Sequence, residues 1–292
     1  MSTAARLDLA FKNAPVLPLE PDSKYVLFSD CHRGTGTSND NFLKNQNLYF
    51  AALKHYYDRQ FTYIELGDGD ELWENRSVEQ IKSIHDNTYW LLSLYYRQKR
   101  LWMLYGNHDL VKRNPRYSKQ HFSSYICSTN KTEPLFPGVT FYQGLILKDS
   151  LGTRDVYLTH GHQADDLNSV LWKLSRFLVR YIWKPLEHIG FLDPTSAAKN
   201  NTKKRKTERL LTDWALDNGI LIISGHTHRP MIGTKESPYF NTGSCVHPRC
   251  ITCIEITNRC MTLVKWTLRT RDDMTLYVGR EELAGPVCID EY

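Results

Sequence analysis

The chain has 292 residues, 41% of them hydrophobic, and 37 lysines and arginines against 32 aspartates and glutamates. That apolar share fills a core and excludes a disordered chain, while a net charge of +5 falls short of a dedicated nucleic-acid binder, so no such partner is expected. Seven cysteines, an odd number, argue against a disulfide framework and for a reducing compartment, the cytoplasm by default.

In chain order, Arg6, Asp8 and Lys12 interrupt any apolar run at the start, so no secretory signal is read there. No stretch is long and uncharged enough to span a bilayer. Tyr25 to Phe28 reads as a buried strand, followed by a Gly- and Ser-rich loop from Gly34 to Ser38. From near Asp40, Phe42, Leu43, Leu48, Tyr49, Ala52, Leu53 and Tyr56 recur at helical spacing, and Phe61 to Leu66 returns to strand. A second helix, Val78 to Gln98, leads into a strand from Leu101 to Tyr105, which makes a βαβ rhythm. Thr140 to Leu147 and Asp155 to Thr159 read as a hairpin. An insertion rich in helix formers and basic residues runs to about Asn218, and Ile220 to Ile223 restores the sheet. From Tyr239 onward, Ile251 to Ile256 and Met261 to Leu268 are further strands. Cys250 and Cys253 resemble a zinc pair, yet residues three apart on a strand face opposite ways, so they read as ordinary strand cysteines. No internal repeat is visible. The chain is expected to be one domain, 1–292, with a helical insertion over 163–218.

Five apolar runs end in potential metal ligands: Asp30 with His32, Gly67-Asp68, Gly106-Asn107-His108-Asp109, His160-Gly161-His162, and Gly225-His226-Thr227-His228. Any one of these has an ordinary reading as a cap or an exposed imidazole. Together they are hard to explain by packing, because ligands gather beyond the carboxyl ends of strands in open α/β sheets, and a carboxylate, imidazole and amide cluster there binds cations. Two such cations about 3.5–4 Å apart can share a hydroxide and hold the oxygens of a phosphate. Oxygen and nitrogen donors without thiolate favour two divalent ions such as manganese, with zinc, iron or cobalt as alternatives, over calcium. His160 ends a strand that can aim it, whereas His162 falls in the following loop and is expected to contact substrate or to support the ligands from behind. The forked donors of Arg33 could clamp a phosphate, or could lie on an exposed loop.

These motifs, taken in order, resemble the calcineurin-like metallophosphoesterases, whose pattern is Asp-x-His, Gly-Asp-x-x-(Asp/Glu), Gly-Asn-His-(Asp/Glu), His-Gly and Gly-His-x-His. The resemblance implies an α/β fold, a β-sandwich flanked by helices with a helical cap insertion. It implies that Asp30, His32, Asp68 and His228 surround one metal and Asp68, Asn107, His160 and His226 a second, with Asp68 bridging. His108 would protonate the leaving group and Glu71 would orient it. Asp109 is grouped with these catalytic residues, though it and Asp70 could also be turn residues. Arg229 joins Arg33 and His162 as an expected substrate contact.

Between Leu167 and Ile189, Lys173, Arg176, Arg180, Lys184 and Glu187 form a stripe at helical spacing, with Trp172 and Trp183 along one edge and Pro185 near the end. That pattern suits a helix lying on a lipid surface, at the inner face of the membrane, or a cap packed on the catalytic domain. The run Lys203 to Lys206 adds charge that could meet headgroups or a polyanionic substrate. An insertion before Gly225 to Pro230 is similar to the UDP-2,3-diacylglucosamine pyrophosphohydrolases. The expected substrate is therefore a phosphate- or pyrophosphate-containing small molecule or lipid. A phosphomonoesterase or protein phosphatase, and a non-catalytic metal-stabilised scaffold, are the alternatives.

Overall fold

Apolar runs without polar alternation become strands covered on both faces. In Lys24–Phe28, Tyr25 and Leu27 point to one side and Val26 and Phe28 to the other, and all four are buried. The computed structural model, which describes residues 1–37, 40–169, 171–183 and 200–292, places such strands in two facing sheets. One has the order Leu276–Cys288, Cys260–Thr270, Cys250–Thr257, Lys24–Phe28, Thr62–Leu66, Leu101–Leu104, Phe141–Tyr142. The other runs Val16–Leu19, Gly144–Asp149, Val156–Thr159, Leu221–Ser224, Tyr239–Asn241.

Leu27, Ile64, Leu66 and Leu104 from the first sheet meet Leu145, Leu158, Leu221 and Ile223 from the second, which fills the space between them. Helices Gln46–Asp58 and Asp86–Arg97 cover the outer face of the first sheet through Tyr49, Tyr56 and Tyr95. Helices Thr3–Phe11 and Asn201–Asp217 cover the second through Leu7, Phe11, Leu211 and Trp214. The expected α/β sandwich flanked by helices is therefore present, in four layers. Lys24–Phe28, Thr62–Leu66 and Leu101–Leu104 run parallel, so their carboxyl ends open at one rim.

Four elements differ from the sequence expectations. The helix expected over Val78 to Gln98 is two, Val78–Ile84 and Asp86–Arg97, because His85 leaves helical geometry and turns its ring toward Asp40 at 3.1 Å. The run from Thr140 to Leu147 is divided between the sheets, with Phe141–Tyr142 in one and Gly144–Asp149 in the other. At the crossing point a Cβ on Gly144 would lie 2.7 Å from the Phe11 ring, so only glycine lets helix Thr3–Phe11 approach. The expected single helix over Leu167 to Ile189 is, in its described part, Asp166–Ser169, Trp172–Leu178 and a wide π turn, Val179–Trp183. Ser38, the Trp183 side chain, Lys184, Pro185, Glu187 and Ile189 lie outside the described residues. Finally, Cys260 and Cys288 face each other across adjacent strands and form a disulfide, so one bond exists where none was expected. Cys250 and Cys253 remain free thiols, Cys253 buried and Cys250 partly exposed.

Candidate metal centre

The ladder of the parallel strands continues past their ends and stitches the ligand loops together. The Asp30 N–H donates to the Gly67 carbonyl, that of His32 to Asp68 and that of Gly225 to His160. Asp30, His32, Asp68, His226 and His228 all adopt left-handed backbone, with φ of 52°, 48°, 51°, 67° and 54°. For residues other than glycine this conformation costs about 1–3 kcal/mol each, and such strain collects at functional sites. The glycines beside these residues answer a different need. A Cβ on Gly106 would sit 2.7 Å from Asp68 Cγ, and one on Gly225 would sit 2.6 Å from Ser29 Cβ, so both permit backbone to crowd against a ligand loop.

Donor atoms from these loops fall into two groups that could each hold a metal ion. Asp30, His32 and His228 offer one cluster and Asp68, His160 and His226 another, each with donor atoms within 4.8 Å of one another. His228 Nε2 lies 3.0 Å from Asp30 Oδ1, and His32 Nε2 lies 3.8 Å from both Asp30 Oδ1 and Asp68 Oδ2. In the second cluster His160 Nε2 is 3.1 Å from Asp68 Oδ2 and 3.2 Å from Asn107 Oδ1. Among the described residues, Asp30 Oδ1 and His32 Nε2 are buried and make no well-aligned hydrogen bond, although His228 Nε2 approaches Asp30 Oδ1. Donors bonded at about 2.0–2.2 Å to a common ion stand roughly 3–4 Å apart, so these orphaned atoms and spacings fit divalent metal. His160 is oriented for it: Nδ1 donates to the Leu66 carbonyl at 2.8 Å, which aims Nε2 at Asp68 and Asn107.

Burial alone would raise the Asp30 carboxyl, but His228 and His160 hold it well below the usual carboxylate range. Burial would lower His160, and Asp68 and Asp30 push it up to about 9. Glu71 does more than the sequence suggested. Its carboxylate takes the Nδ1 of both His32, at 2.8 Å, and His108, at 2.9 Å, and so ties a metal donor to the candidate acid. Despite burial, Glu71 and Asp68 raise His108 above the ordinary imidazole value. The Trp73 ring stacks on His108 with centroids 4.3 Å apart.

Arg33 and Asp109 are placed otherwise than expected, and His162 and Arg229 have neighbours of their own. Arg33 is 1% exposed, and its guanidinium is engaged by Asp70 at 2.8 Å and by both Glu65 oxygens at 2.8 and 3.0 Å, so it does not reach for a phosphate. Asp109 holds loops rather than facing the cleft: it accepts from the Gly106 N–H at 2.7 Å, the Gly69 N–H at 3.1 Å and Lys112 Nζ at 2.6 Å. Asp70 joins it, paired with Arg33 and Lys112. His162 is buried, and desolvation beside His160 and His226 keeps it neutral, well below its usual value. Arg229 stands half-exposed with Nη1 on Glu208 at 3.0 Å.

The structure adds residues that the sequence reading lacked. Asp165 Oδ2 lies 3.4 Å from His226 Nε2, and although burial opposes it, His226 holds that carboxyl down to about 2. Glu208 accepts from Thr227 Oγ1 at 3.1 Å, between two donor histidines. Its signal was visible as a lone acid inside a basic helical run; Trp73 had none.

Two facing sheets whose strand ends gather carboxylate, imidazole and amide donors define a metal-dependent phosphoesterase architecture. A model of the calcineurin-like phosphoesterase family matches residues 23–230, and the chain belongs to that family, whose activity is metal-dependent phosphoester hydrolysis. Among curated proteins none matches the chain. The chain is similar to the crystal structure of Vps29 from Chaetomium thermophilum at 11% identity and a TM-score of 0.42, over 89% of this chain and 96% of that one. It is also similar to the crystal structure of a point mutant of a cold-active protein tyrosine phosphatase, at 15% identity and a TM-score of 0.43, over 97% of this chain and 85% of that one.

Proposed function

We propose that this chain hydrolyses a phosphodiester or pyrophosphate in a nucleotide-linked or lipid-linked substrate. The convergence of Asp30, His32 and His228 with Asp68, His160 and His226, including the two orphaned donor atoms, carries the reading. Asn107 completes the second set, and Asp68 lies between the two. Two divalent ions held there, manganese first and zinc or iron as alternatives, would supply Lewis acidity to ionise a water and neutralise phosphate charge. The chain's own groups do the rest. His108 Nδ1 is taken by Glu71, so Nε2 is the nitrogen free to pass a proton to the leaving oxygen as the P–O bond breaks. Glu71 holds the ring through Nδ1 and favours its charged form.

We take residues 1–292 as one domain and 163–218 as a cap beside the site. Exposed Leu171, Leu174, Phe177 and Ile182 on the insertion, with Lys173 and Arg176 over the Trp172 ring, support an amphipathic substrate and contact with a membrane face. Among the described residues, no helix is long and apolar enough to cross a membrane. The test is a hydrolysis panel on metal-reconstituted protein: UDP-sugar lipids, dinucleotides, cyclic nucleotides, phosphopeptides and aryl esters, each with a chelator control. Cleavage of pyrophosphates over monoesters is expected. Preference for phosphopeptides would overturn the substrate assignment, and no chelator-sensitive cleavage would overturn the activity.

A further inference from the structure

Within the insertion's basic stripe, Arg180 behaves differently from its neighbours. Lys173 and Arg176 stack over Trp172 near the surface, whereas Arg180 turns inward and spends its donors on backbone. Nε donates to the Trp73 carbonyl at 2.7 Å, and Nη2 to those of Leu72 at 2.8 Å and Asn75 at 3.3 Å. One guanidinium therefore closes the turn from Glu71 to Asn75 across more than a hundred residues of chain. The adjacent Tyr181 hydroxyl accepts from Arg76 Nη2 at 2.9 Å, which seats the π turn Val179–Trp183 on the same stretch.

That turn holds the candidate acid from two sides. The Trp73 and Glu74 N–H groups both donate to Glu71 Oε1 at 3.2 Å, and Glu71 in turn fixes the His108 ring. The Trp73 side chain stacks against the same ring. Donor fork, turn carbonyls, Glu71 and Trp73, and His108 thus form one unbroken chain of contacts. We infer that Arg180 is a positioning residue, through which the insertion sets the proton-delivering geometry of His108. The inference rests on the proposed role of His108 as acid. An insertion built only to cover substrate would have no need to place a planar, five-donor cation on three carbonyls of the turn that bears Glu71.

The test exploits leaving groups. A nitrophenolate departs without a proton and an alkoxide needs one, so loss of acid positioning separates two otherwise matched phosphodiesters. In metal-reconstituted Arg180→Ala, turnover of the alkyl diester should fall about tenfold or more, and that of the nitrophenyl diester less than about twofold. Arg180→Lys, able to meet one carbonyl but not three, should recover part of the loss. Lys54→Ala, on the exposed face of helix Gln46–Asp58 and paired with Asp58, should change neither rate. Hydrogen exchange at the Trp73 and Glu74 amides should quicken in Arg180→Ala with or without metal. If Arg180→Ala does not fold, Arg180→Met keeps the packing of the stem and carries the same expectation. Equal loss on both esters, or no loss on either, overturns the inference while leaving the hydrolytic reading intact. A wild type that cleaves neither ester overturns the inference, and one that cleaves no pyrophosphate either removes the hydrolytic reading with it.

Discussion

At the scale of single residues, small displacements decide whether donor atoms share an ion. Gly106→Ala would drive a methyl into the carboxyl of Asp68, so the variant should fold yet bind manganese at least about tenfold more weakly by titration calorimetry. Near-wild-type affinity would mean that Asp68 can shift without consequence. His108→Ala separates proton delivery from metal binding: elemental analysis should find unchanged metal, and turnover on an alkyl diester should drop about 10²–10⁴-fold. The sequence displayed these donors because strand-end carboxylates and imidazoles have no packing role. It did not display the fate of Arg33, since a guanidinium beside a ligand histidine looks the same whether it faces phosphate or, as here, Glu65 beneath the site.

At the scale of elements, hydrophobic pattern located the central strands within a residue or two, because strands buried on both faces leave uninterrupted apolar runs. It failed where a contact elsewhere overrides local pattern. His85 breaks a helix by reaching for Asp40, and the run through Gly144 changes sheets under Phe11. Helix Thr3–Phe11 was read only as lacking a signal; its Arg6 in fact reaches the Gln163 carbonyl at 2.7 Å and Asp166 at 2.7 Å, ties that have no local signature. Helix Asn201–Asp217 carries a comparable tie through Glu208, which bonds Thr227 and Arg229. Glu208→Ala should loosen the last donor loop and weaken metal binding about 10–100-fold, with a smaller effect on thermal stability. A large fall in melting temperature with unaltered affinity would assign Glu208 to packing alone.

At the scale of the whole molecule, the two sheets are also joined far from the cleft. Arg259, in the turn between Cys250–Thr257 and Cys260–Thr270, pairs with Asp149 at the hairpin of the other sheet at 2.7 Å and with Asp290 near the end of the chain at 2.9 Å. Burial would raise Asp149, but Arg259 and the Thr153 amide hold it below its ordinary value. A carboxyl lowered by folding contributes stability above its unfolded value near pH 4, and that contribution is lost as pH falls below it. Denaturant titrations should therefore show wild-type stability declining below about pH 4, and Asp149→Asn, already weaker at pH 7, declining less over the same interval. Parallel curves would exclude Asp149 as a source of acid sensitivity.

Asp30, Asp68 and Asn107 follow strands of one sheet, while His160, His226 and His228 follow strands of the other. A bound ion pair would therefore act as a rivet through the seam, and the free energy of ion capture and the free energy resisting separation of the halves would be a single quantity. Any slip in the interleaved leucines and isoleucines beneath would reappear above as an altered spacing between the cations, which makes the interior of this protein the gauge by which its chemistry is set.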